Sequence, residues 1–77
     1  MSLNEAVAQR LQQLLDERGW KQYTIQKEGG VPRSTVGKIL LQKRDSTRLI
    51  TLYQILQTMK ISLKEFFDDP IFDDLTD

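Results

Sequence analysis

Two adjacent glycines followed closely by a proline, in Gly29-Gly30-Val31-Pro32, constrain this chain more than any other feature. A helix must stop there, because glycine accepts the left-handed backbone that a tight interhelical turn needs. A new helix can begin at Pro32 or Arg33, because proline suits a first turn and no later one. Upstream, Gln22 to about Glu28 reads as a short helix with Ile25 as its apolar anchor and Tyr23 as a second candidate. Val31 supplies a buried contact in the turn. Downstream, Val36, Ile39 and Leu40 recur at helical spacing and face inward, leaving Arg33, Ser34, Gly37, Lys38 and Leu41 on the other faces. The pair is two short helices at a sharp turn, the second of them polar on one side.

The remaining chain reads as scaffold for that pair. Ser2-Leu3-Asn4-Glu5 is a capping-box pattern, and Leu3, Val7, Leu11, Leu14 and Leu15 follow at helical spacing as far as the natural stop at Gly19. This places a first helix at about residues 3–18. Trp20, at the corner, is expected to anchor the core under the helix junction. Gln42 to Ser46 is a polar loop, and Ser46 or Thr47 is expected to cap a fourth helix carrying Leu49, Leu52, Tyr53, Ile55, Leu56 and Met59. Ser62-Leu63-Lys64-Glu65 is a second capping-box pattern, opening a fifth helix with Leu63, Phe66 and Phe67 turned inward. Nothing alternates with a period of two, so the expected fold class is all-α: one five-helix domain over residues 1–67 with an acidic C-terminal tail over 68–77.

Composition removes several classes of function. The chain has no cysteine and no histidine, so disulfides, Cys/His zinc sites and His-dependent nucleophilic catalysis are excluded. Paired carboxylates occur only in the tail, and no nucleophile-base constellation can be assembled. The expectation is a non-enzyme without cofactor, metal or small-molecule ligand. No apolar run is long enough for a signal-peptide core or a membrane span, and a cytoplasmic, soluble protein is the default expectation. The formal net charge of zero conceals an asymmetry: residues 1–67 hold all 11 Lys and Arg against six acids, and residues 68–77 hold five Asp and no base. Such polarity suits a polyanion partner, and it equally suits a solvated face with a solubilising tail.

Two helices, a glycine at the turn, an apolar residue after it and inward Val36 and Ile39 match the helix-turn-helix unit. Together with Gly19-Trp20-Lys21-Gln22, Gly30-Val31-Pro32-Arg33-Ser34-Thr35-Val36 and Met59-Lys60-Ile61-Ser62-Leu63-Lys64-Glu65-Phe66-Phe67, the chain resembles the phage repressor and Cro-like (XRE-type) DNA-binding domains from about Val7 to Phe67. Four departures stand out. Gln26 replaces the alanine that usually lets helices 2 and 3 approach, so its amide must point outward or push them apart. Lys21 replaces a Ser/Thr cap, so helix 2 is expected to start frayed. Gln42 replaces a common glycine after helix 3. Leu15 and Leu40 stand where many members bury an Arg–Glu ion pair, a joint exchange that leaves no orphaned charge.

The resemblance implies a sequence-specific transcriptional regulator, most simply a repressor, that binds a near-palindromic operator on double-stranded DNA as a homodimer, with helix 3 in the major groove. By position Arg33, Ser34 and Lys38 reach base edges, Arg33 as a bidentate partner for guanine. Thr35 and Gly37 are the close-approach candidates, Gly37 alternatively being simple tolerance. Gln22 matches a glutamine that bonds a phosphate and braces helix 3. Lys21, Lys43 and Arg44 are further phosphate candidates, and Arg48 a phosphate or minor-groove candidate. With no second domain in view, a Cro-like or stand-alone regulator is favoured. The alternative is a protein-interaction module, antitoxin-like or adaptor, on the same fold. The tail, with Ile71, Phe72 and Leu75 among its acids, could pack on its own core, join a dimer contact or lie over the basic face.

Overall fold

A computed structural model describes residues 1–42 and 47–76. The chain runs through α1 (Leu3–Arg18), α2 (Gln22–Gly29), α3 (Arg33–Leu40), α4 (Leu49–Met59) and α5 (Leu63–Phe67), then a 3-10 turn at Pro70–Phe72. There is no strand among the described residues. Local chemistry sets most of these boundaries. Ser2 Oγ accepts from the Glu5 N–H at 3.1 Å while the Ser2 N–H donates to the Glu5 carboxylate at 3.2 Å, closing the box that starts α1. Gly19 (φ 67°) and Gly30 (φ 78°) end α1 and α2 in the left-handed conformation. Ser62 Oγ accepts from the Glu65 N–H at 3.0 Å to start α5.

Lys21, the N-cap of α2, makes no side-chain cap bond, and the Thr24 hydroxyl turns back to accept the Lys21 N–H at 3.1 Å. One expected cap differs. Helix α4 begins later than Ser46 or Thr47 would set it. Its N-cap is Arg48, which makes no side-chain cap bond, and Ser46 lies outside the described residues. Residues without a glycine's freedom also hold left-handed backbone: Gln42 (φ 55°), just after α3, and Lys60 (φ 58°), which ends α4.

The core gathers Leu11, Leu15, Ile25, Val36, Ile55, Leu56, Met59 and Phe66, all essentially removed from solvent, with Trp20 and Leu40 packed at its edge. Leu15 lies within the apolar core and Leu40 packs against it. Helix α2 meets both α3 and α4, and α1 lies under α3. Helices α2 and α4 approach closely at Gly29, over which the Thr58 side chain sits.

Several apolar residues expected inside are not. Leu3, Tyr23, Leu49, Tyr53 and Phe67 are exposed, as is Ile50. Periodicity placed the first five on the apolar side of their helices, but the way the helices are arranged leaves them partly open to solvent. Conversely Arg10, on α1, is only 8% exposed. Its guanidinium donates to the Phe66 and Glu65 carbonyls at 2.8 and 2.9 Å and to Gln13 Oε1 at 3.0 Å, and it pairs with Asp69 at 3.2 Å. These bonds hold the end of α5 and the start of the tail onto α1. Phe72 completes the attachment, packing against Phe66 and Phe67 with ring centroids 5.9 and 4.9 Å away, and the Thr76 N–H donates to the Met1 carbonyl at 3.0 Å. Of the three placements open for the tail, its described contacts are those of packing on its own core.

Candidate nucleic-acid interface

Helix α3 is eight residues long and buries Val36, Gly37 and Ile39. Arg33, Ser34 and Lys38 are exposed, and Thr35 is half-buried. Ser34 and Lys38 stand one turn apart on the outer face, with Arg33 at the helix start. Thr35 lies on the flank turned toward α4, where it joins Thr51, Gln54 and Thr58 in lining an open polar groove of about 520 Å³.

Gly37 does not sit on the outer face. A side chain begun there would point at the Gln22 carboxamide, with its Cβ only 2.9 Å from Gln22 Oε1. The missing side chain makes room for Gln22. Gln22 is half-buried at the first position of α2, and the exposed N-cap Lys21 adjoins it. Arg48, exposed at the start of α4, is a further cation available to solvent. Lys43 and Arg44 lie outside the described residues.

Gln26 takes a role that sequence reasoning missed. Its amide does point outward, yet it does not loosen the helix pair: Oε1 accepts the Arg33 backbone N–H at 2.9 Å. Pro32, the N-cap of α3, makes no side-chain cap bond, so the oxygen that caps this helix comes from α2. The available signal was the coincidence of a polar residue at a close-packed position with a proline at the cap it could replace.

No group of metal-ligating side chains occurs among the described residues, and no helix there is long and apolar enough to cross a membrane. Two short helices locked at a glycine turn, the second with its polar face outward, define a helix-turn-helix domain. A family model for helix-turn-helix proteins matches residues 11–66. The chain belongs to that family, the XRE-type, Cro-like group, which is a DNA-binding regulatory one. No curated protein and no solved structure matches the chain.

Proposed function

We propose that this protein is a sequence-specific DNA-binding transcriptional regulator, a cytoplasmic repressor that binds a near-palindromic operator as a homodimer. The observation that carries this reading is the exposure of Arg33, Ser34 and Lys38 on a short helix whose first N–H is held by Gln26 of α2. Arg33 and Lys38 approach acceptors on base edges, Ser34 discriminates weakly, and Gln22, Lys21 and Arg48 with the loop cations Lys43 and Arg44 engage backbone phosphates. Thr35 lies at the margin of that contact.

A second copy of the chain finds an apolar seat on the exposed face of α4. Leu49, Ile50, Tyr53 and Leu63 line a groove of about 320 Å³. Leu49, 63% exposed, also lines a neighbouring groove with Leu3 and Phe67, and so forms the ridge between two hollows. A ridge beside a hollow on one surface is self-complementary under two-fold symmetry.

Selection from random double-stranded DNA tests the reading. The expected result is enrichment of an inverted repeat whose half-sites lie about 34 Å apart, with affinity falling steeply as salt rises. Absence of any enriched sequence would overturn it. Ile50→Asp is expected to give a folded monomer in sedimentation with weakened binding to the full operator. A variant that remains dimeric would remove this face from the dimer.

A further inference from the structure

We propose that Gln26 is a positioning residue for Arg33, fixing how that side chain is presented to DNA and so setting the preference at the base pair it reads. The inference rests on the DNA-reading role above.

Arg33 is the first residue of α3, where a helix leaves N–H groups without internal partners. The usual remedy is an oxygen on the N-cap side chain, and Pro32 has none. Its carbonyl serves the turn above, accepting from Thr35 and Val36 at 2.9 and 3.2 Å. Gln26 supplies the missing acceptor from the neighbouring helix, bonding the Arg33 N–H at 2.9 Å. Because that N–H requires an oxygen, the bond also fixes which way the carboxamide is turned. One turn earlier in α2, Gln22 lies against Gly37, one turn later in α3. The two contacts form rungs of a ladder along both helices, and the upper rung is attached at the residue whose side chain faces outward.

The consequence is specific to Arg33. A bidentate guanidinium pair with guanine needs both its bonds aligned, and a working site tolerates only about 0.5 Å of misplacement. Releasing the Arg33 backbone frees the root of a long, flexible side chain at the frayed end of a short helix. Lys38, a full turn further along, acts as a point charge and keeps its place.

The test compares base preference at each operator position for the wild-type chain, Arg33→Ala, Gln26→Met and Gln26→Glu, with thermal unfolding confirming that each is folded. Methionine preserves length and removes the acceptor, whereas glutamate keeps the acceptor and adds a charge repelled by DNA. Gln26→Met is expected to flatten preference by about five- to tenfold at the base pair that Arg33→Ala flattens. Gln26→Glu is expected to keep that preference while weakening all sites alike. Unchanged preference in Gln26→Met, or a change at a base pair that Arg33→Ala leaves alone, would overturn the positioning role while leaving the DNA reading intact. A wild-type chain with no base preference at any position would overturn the DNA reading, and the inference with it.

Discussion

Thr58 of α4 closes over Gly29 of α2, its side chain standing where a β-carbon on Gly29 would be. The same hydroxyl donates to the Gln54 carbonyl at 3.0 Å, so it is held and not free to swing away. Gly29→Ala places a methyl in occupied space. Alanine's helix preference, worth up to about 1 kcal/mol over glycine, is outweighed by overpacking of about 1–3 kcal/mol. Denaturant unfolding is expected to show net destabilisation, partly recovered by adding Thr58→Ala.

Gly37 presents the opposite case. Its neighbour is the far end of the flexible Gln22 side chain, which can yield. Gly37→Ala is expected to raise folding stability by up to about 1 kcal/mol while lowering DNA affinity several-fold, because the brace is displaced. Calorimetry and a binding titration on the same preparation check the two signs together. Affinity unchanged with stability raised would show that the position of the Gln22 amide does not matter for binding.

Arg10 reaches two backbone carbonyls and a carboxylate from α1. Arg10→Ala leaves these acceptors short of their donor in a nearly buried site and is expected to cost about 2–4 kcal/mol. Asp69→Asn removes the charge but keeps an oxygen that can accept from Arg10; with the two side chains only 10% and 22% exposed, a smaller loss of about 1 kcal/mol is expected. Chemical denaturation of both variants gives the ratio. Near-equal losses would contradict a hub centred on the carbonyls.

Lys60 pays for left-handed backbone that a β-carbon disfavours. Lys60→Gly is expected to stabilise the fold by about 0.5–1 kcal/mol. A rise in melting temperature at unchanged DNA affinity is the expected readout.

Helix ends were legible because their signals are local: Ser2 with Glu5, Gly19, Gly30 and Ser62 each act within one turn. The five helices and the α2–α3 turn therefore follow from residue chemistry, the start of α4 after Arg48 excepted. Burial was less legible. A helical apolar period marks Leu49 and Tyr53 as it marks Leu52 and Leu56, and only the arrangement of the other helices decides which are covered. The site divides the same way. Exposure of Arg33, Ser34 and Lys38 follows from the wheel of α3 once Val36 and Ile39 are inside. The bond from Gln26 to Arg33 and the turn of Gly37 toward Gln22 depend on how two helices are apposed. Arg10 carried no signal at all, since its acceptors are backbone carbonyls more than fifty residues away.

The Gln22–Gly37 and Gln26–Arg33 rungs also bear on how this surface can be transplanted. An α3 grafted alone onto a related scaffold would arrive without its capping oxygen and with a glycine facing no glutamine. The unit of exchange is the whole hairpin from Gln22 to Leu40. A scaffold carrying alanine opposite Arg33 would inherit the residues of α3 without the bond that holds the Arg33 backbone.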